Sequence, residues 1–275
     1  MQIKVAGQTG FCFGVKRAIN IAEKTIKGSE AAKGIYSLGP IIHNPQVVES
    51  LSKKGLRVIR NIKDINRGTV IICSHGAPGY LIDKIRKKNI KLVDATCPFV
   101  KYAQDIVRGL KKEGYRIIIV GDKEHPEVKA LLSIAGKKTN NKKIGIISQT
   151  TRNKDNYLKE ILEVLKEDFR EVRVFNTICN DTSRRQALTR KLLGECDIMV
   201  VVGGRNSANT RRLWQICKES GVDSYHIERE DELNADSFYR KKCVGVVSGA
   251  STPDTTVKKV VDKIKKLNLK RKRGI

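Results

Sequence analysis

Three cysteines stand out by their spacing along the whole chain. Cys12 in "GFCFGVKRA", Cys97 in "DATCPFV" and Cys179 in "NTICNDTSRRQ" lie 85 and 82 residues apart, dividing the 275 residues into near-equal thirds. Each follows a short β-like run and precedes a helical pattern. A thiol at a helix N-terminus is expected to ionise more easily, because the dipole and the N–H groups there favour the anion. Three thiolates could hold zinc or an iron–sulfur cluster. The closely spaced four-cysteine runs of ferredoxin-type clusters are missing. A three-cysteine site leaves one metal position open, as a catalytic metal needs in order to polarise a substrate oxygen. The other cysteines, Cys73, Cys196, Cys217 and Cys243, lie in or at the ends of apolar runs and read as small core residues.

Polar side chains recur with the same period. A second apolar run in each third ends at Gly39, Gly121 or Gly203, and four residues on stand His43, His125 and Ser207. A third run ends in "SHGAP", "SQTT" or "SGAST", supplying His75, Thr150, Thr151 and Ser251. Imidazoles, hydroxyls, amides and helix-start N–H groups suit phosphate oxygens, and "GRNSANT" and "SGAST" have the look of phosphate-binding turns. Glu127 is the carboxylate set among these corners and the candidate proton donor, although a solvated helix-start glutamate has the same sequence signature. His226, in "VDSYHIERE", reads as an ordinary structural histidine.

The elements that must position these groups follow from periodicity. The apolar runs "YRIIIVG", "KIGIIS", "CDIMVVVG" and "CVGVVSG" are short, continuous and rich in Ile and Val, as strands buried on both faces of a parallel sheet are. Helical stretches such as "FVKYAQDIVRGLKKEG" separate them, so the alternation is βαβ. The expected fold is α/β, with three related small parallel-sheet units: residues 14–97, residues 98–175, and residues 1–13 with 176–275. In open α/β sheets ligands bind beyond the carboxyl ends of strands, which is where Cys12, Cys97, Cys179, His43, His75, His125, Thr150, Thr151, Ser207 and Ser251 fall.

Composition sets outer bounds. Hydrophobic residues make up 40% and charged residues 31%, and no run approaches the roughly 18 apolar residues of a membrane span. The start, "MQIKVAGQTG", lacks the apolar core of a secretory signal. The expected location is the cytoplasm, where cysteines are thiols or metal ligands. The net charge of +26 favours an anionic partner. From residue 257 to the end there are nine Lys/Arg against one acid, Asp262, with a basic tail from about residue 265. The tail reads first as a solvated helix and a frayed end, with nucleic-acid binding as the sideline it would permit.

Together, "GFCFGVKRA", "GPIIHNPQVV", "SHGAP", "DATCPFV", "EHPEV", "SQTT", "NTICNDTSRRQ", "GGRNSANT" and "GASTPD" resemble the 4-hydroxy-3-methylbut-2-enyl diphosphate reductase family, in order, across residues 1 to about 260. The resemblance implies three α/β domains in a trefoil-like arrangement around one [4Fe–4S] cluster held by Cys12, Cys97 and Cys179. It implies that His43, His75, His125, Thr150, Ser207, Asn209 and Ser251 contact the substrate, chiefly its diphosphate, with Thr151 alongside. Glu127 would supply a proton and Thr150 would help to place it. The implied reaction is reductive dehydroxylation of the substrate to isopentenyl and dimethylallyl diphosphate. Its electrons would come from ferredoxin or flavodoxin, because no flavin or nicotinamide fingerprint is present. One departure is visible: Ala208 stands where the family often has a second serine, and it can offer only its backbone. Two other classes stay open on the residues alone. One is a zinc-dependent hydrolase or lyase acting on a small phosphorylated substrate. The other is a basic RNA-binding protein, against which the 5% aromatic content, not interleaved with basic clusters, argues.

Overall fold

The computed structural model describes residues 1–28, 34–63, 65–88, 90–137 and 141–272. Residues 273–275 and the side chains of 270–272, most of the basic tail's charge, lie outside this description. The strands are β1 (Gln2–Val5), β2 (Ile35–Leu38), β3 (Leu56–Ile59), β4 (Thr69–Ile72), β5 (Lys91–Asp94), β6 (Arg116–Val120), β7 (Lys143–Ser148), β8 (Glu171–Phe175), β9 (Ile198–Val202), β10 (Asp223–Ile227) and β11 (Cys243–Ser248). The helices are α1 (Phe13–Lys27), α2 (Pro45–Lys53), α3 (Gly79–Lys87), α4 (Pro98–Lys112), α5 (Pro126–Ala135), α6 (Lys154–Val164), α7 (Asn180–Leu193), α8 (Ala208–Glu219) and α9 (Asp254–Lys272). No described helix is long and apolar enough to cross a membrane.

Among the described residues the strands form three sheets, with every pairing parallel, in the orders β1-β11-β9-β10, β3-β2-β4-β5 and β6-β7-β8. One compact unit comprises Met1–Cys12, His43–Pro45 and Asn180–Ile275 and contains the first sheet. The other comprises Phe13–Ile42 and Gln46–Cys179 and contains the other two.

The sheets share one order. The strand before each spaced cysteine (β1, β5 or β8) is an edge strand, and beside it lies the strand ending in the serine-containing loop (β11, β4 or β7). Those inner strands and β9 are buried along almost their whole length, which accounts for their unbroken apolar composition. The edge strands are half exposed and correspondingly mixed in sequence.

Helices pack against the sheets, α4 through an apolar stripe and α7 through a largely polar one of Thr182, Arg185, Gln186 and Thr189. In α4, Val100, Ala103, Val107 and Leu110 are buried at helical spacing, and the last three join Leu131 and Ile147 in one core cluster. Contact between α4 and β7 is close. A Cβ added to Gly145 would lie 2.6 Å from Leu110 Cδ1, and Leu110 is itself buried. Gly145→Ala is therefore expected to overpack this core and cost roughly 1–3 kcal/mol. In Leu110→Ala the same substitution should cost much less, so urea denaturation of the double-mutant cycle checks the contact.

Candidate active site

Each of the three spaced cysteines is held by the same backbone device. The Cys97 N–H donates to the Ser74 carbonyl at 2.9 Å, the Cys179 N–H to the Thr150 carbonyl at 2.9 Å, and the Cys12 N–H to the Ala250 carbonyl at 3.0 Å. The acceptors belong to the loops after β4, β7 and β11. The latch therefore joins each thiol-bearing loop to the end of the strand beside it. All three cysteines are half-buried, whereas Cys73, Cys196, Cys217 and Cys243 are buried, and none of the seven is in a disulfide.

Helix-start stabilisation of the thiolate is present at Cys97 but does not prevail. Cys97 caps α4 ahead of Pro98. Burial drives its thiol pKa up, and the Phe99 and Val100 N–H groups pull it down without cancelling that effect. The thiol thus stands above its ordinary range, contrary to the expectation from helix position alone. Desolvation of the anion outweighs two backbone dipoles. Arg17, which sequence reasoning missed, also favours the thiolate and donates through Nη1 to the Thr96 carbonyl at 3.0 Å.

Beside Cys97 in the same compact unit is an acid cluster. Glu127 sits in the first turn of α5, 1% exposed, so the solvated alternative does not hold. The Thr150 N–H donates to Glu127 Oε1 at 2.6 Å and the Thr150 hydroxyl to Oε2 at 2.7 Å. Burial pushes the carboxyl up to about 7, against those two hydrogen bonds, which hold it down. His125 caps α5, its Nδ1 accepting the Glu127 N–H at 3.2 Å. An accepting Nδ1 leaves the ring hydrogen on Nε2. The His75 ring meets His125 edge-on at 5.3 Å between centroids. Thr151 is engaged differently: its hydroxyl accepts from Gln149 Nε2 at 2.8 Å, while Gln149 Oε1 accepts the Asp122 N–H at 2.9 Å. Gln149 therefore ties the two loops of this sheet together, a role that nothing in "SQTT" announces.

The other compact unit gathers His43, Ser207, Ala208, Asn209 and Ser251. The Ser251 hydroxyl donates to the His43 carbonyl at 3.2 Å. Burial and the nearby Arg211 charge lower the His43 pKa, so its imidazole is neutral at pH 7. Ser207 caps α8 by accepting the Thr210 N–H at 3.3 Å, and Ala208 is the first residue of that helix. Asn209 is 4% exposed, and neither its amide nitrogen nor its oxygen has a partner among the described residues. Leaving a buried amide unpaired costs about 1–3 kcal/mol, so this side chain is suited to a polar ligand. His226 lies below, its Nε2 2.8 Å from the Gly203 carbonyl, where it steadies the loop leading to Ser207.

Comparison with known proteins finds relatives over nearly the whole chain. The family model LYTB, for LytB protein, matches residues 3–265. The 4-hydroxy-3-methylbut-2-enyl diphosphate reductase of Syntrophotalea carbinolica is 45% identical over 278 residues, covering 96% of this chain and 98% of its own length. The protein of the same name from Aquifex aeolicus is 41% identical over 283 residues, covering 97% of each. A solved structure of (E)-4-hydroxy-3-methyl-but-2-enyl diphosphate reductase, the terminal enzyme of the non-mevalonate pathway, is similar with a TM-score of 0.69 at 42% identity, over 97% of this chain and 100% of that one. The structure of E-1-hydroxy-2-methyl-but-2-enyl-4-diphosphate reductase from Plasmodium falciparum gives 0.86 at 27% identity, over 95% and 87%.

The buried acid has a measurable signature of its own. Its proton is bound more tightly in the folded chain, with a pKa of about 7 against 4.5. Glu127 thus imposes no ionisation penalty below about pH 4.5 and lowers stability progressively as pH rises to about 7, by roughly 3 kcal/mol in all. A glutamine side chain in its place would be neutral throughout and could keep both Thr150 bonds. Relative to wild type, metal-free Glu127→Gln should therefore gain roughly 2–3 kcal/mol between pH 5 and pH 8, read by denaturant titration. A difference independent of pH would mean that Glu127 is not buried as described.

Proposed function

The chain belongs to the LytB family and is an oxidoreductase of the non-mevalonate isoprenoid pathway, and from this we propose that it converts 4-hydroxy-3-methylbut-2-enyl diphosphate into isopentenyl and dimethylallyl diphosphate. The conversion consumes two electrons and two protons, breaks the carbon–oxygen bond of the allylic alcohol and releases water. The observation that carries the reading is a buried carboxyl, Glu127, held by Thr150 with its pKa near neutrality. A reaction that must protonate a departing hydroxyl at physiological pH needs such an acid.

Cys12, Cys97 and Cys179 are our proposed ligands for a [4Fe–4S] cluster. The donor set fits such a group: each is a half-buried thiol outside any disulfide, fixed through its own N–H to a neighbouring strand end. When bound, the cluster supplies the electrons and, at an iron without a side-chain ligand, Lewis acidity toward the hydroxyl that leaves.

The protein's own groups handle position and protons. Asn209 donates an amide hydrogen to the diphosphate and thereby gains a partner for its nitrogen. Ser207 and the N–H of Ala208 add donors, so the missing second serine is replaced by backbone, and Ser251 joins them once its hydroxyl turns from the His43 carbonyl. Neutral His43 donates one ring N–H, or takes up a proton when the anion arrives. His125, with its hydrogen on Nε2, and His75 line the acid end of the site. When Glu127 is protonated, its O–H donates to Thr150 Oγ1, and the threonine hydrogen is then turned toward substrate. Thr151, through Gln149, keeps that loop in place. Electrons come from ferredoxin or flavodoxin, and the reaction runs in the cytoplasm.

Protein purified without oxygen should be brown and carry about four iron and four sulfide per chain. Cys97→Ser should lose most of both. A colourless protein with one stoichiometric zinc would replace this reading with a zinc hydrolase. Glu127→Gln should retain iron and substrate affinity while kcat falls by ~10²–10⁴, as expected for loss of a general acid. Near-normal turnover would remove Glu127 from that role.

A further inference from the structure

We infer that Arg185 is the positioning residue of the Cys12 loop, an inference that rests on reading Cys12 as a metal ligand. The loop needs one. Next to Cys97 the backbone ladder simply continues past the strand end, Ala95 N–H to the Ile72 carbonyl and Cys97 N–H to the Ser74 carbonyl, two residues on each side. At Cys12 the corresponding bonds are Ala6 to Val246 and Cys12 to Ala250. The chain advances six residues on the cysteine side against four on the other, so the loop bulges out of register. Its first four residues, Gly7-Gln8-Thr9-Gly10, have no apolar side chain to anchor them, and the half-buried Phe11 holds only the end next to Cys12.

Arg185, on α7, supplies the anchor. Its guanidinium side chain is 2% exposed. Nη2 donates to the Gly10 carbonyl at 2.9 Å, and Nη1 donates to the carbonyls of Ser248 at 3.1 Å and Gln8 at 3.4 Å. Nε donates to Asp181 at 2.7 Å, one helical turn earlier, and the Gln8 amide donates to the same carboxylate. From the other side, the Asp254 carboxylate accepts from the Thr9 hydroxyl at 3.4 Å and would lie 2.1 Å from a Cβ on Gly10, whose φ is +73°. The bulge is thus clamped between a planar fork and a carboxylate. The same fork holds the strand end that leads to Ala250 and Ser251. A lysine ammonium is a point charge and cannot present this fork to three carbonyls and a carboxylate at once.

The test is site-resolved alkylation. Full-length wild type and Arg185→Lys, purified anaerobically, are assayed for iron, stripped of metal by chelator under reducing conditions, and exposed to iodoacetamide. Labelling of Cys12, Cys97 and Cys217 is followed by mass spectrometry. Local release of the loop should raise the Cys12 rate ~10-fold while Cys97 is unchanged and core Cys217 stays protected, and iron per chain should fall. An unchanged Cys12 rate, or equal acceleration at Cys12 and Cys97, overturns the inference. If Cys217 also labels, so that the variant is unfolded, Asp181→Asn is read by the same ratio, since it loosens Arg185 without removing its donors. The ligand reading fails separately: Cys12→Ser with a full complement of iron would sink it and leave the alkylation result standing.

Discussion

One hydrogen bond, made three times, governs the placement of the chemistry: a cysteine N–H closing onto the carbonyl at the end of the adjacent parallel strand. A parallel ladder leaves unpaired carbonyls where its inner strand ends, and a buried carbonyl must find a donor. The edge strand is the nearest source, so the loop that follows it is drawn over the end of its neighbour. At Cys97 thiol position therefore follows from sheet register, while at Cys12 a bulge intervenes. A one-residue slip would turn every side chain of the edge strand to the opposite face and carry the cysteine with it.

The groups around these latches are costly to keep. Glu127 holds a carboxyl away from water, and Asn209 holds an amide without a partner among the described residues. Around them stand inner strands buried along their length, a His125 cap, a Ser207 cap, and Gln149 and His226 tying the loops. That is the pattern expected when stability supplied elsewhere maintains a preorganised polar site. Cys97 belongs to the same balance. Its protonated form is favoured by burial, so a metal would have to displace that proton, and coordination is the effect strong enough to do so.

Much of this was readable from the linear chain, and the reason is periodicity. The inner strands β4, β7, β9 and β11 are unbroken apolar runs because both faces are buried, and their ends mark the loops that carry His75, Thr150 and Ser251. The short edge strands β3 and β10 carry no such signature, since one face of each meets solvent and their composition is mixed. Arg185 was hidden for a different reason. In "TSRRQ" two arginines adjoin, and only the folded position of α7 buries the second; the Asp181–Arg185 spacing of one turn was the available clue.

Order along the chain was enough to establish the repeat, the βαβ alternation, the residues at the strand ends and the family resemblance, because these depend on local pattern and spacing. Folding settled the state of those residues: Glu127 buried rather than solvated, Cys97 raised rather than lowered, Thr151 turned to Gln149, and Asn209 left without a partner among the described residues. Protonation and hydrogen-bond satisfaction depend on how much water is excluded and which distant groups arrive, and both are set only when the chain closes on itself.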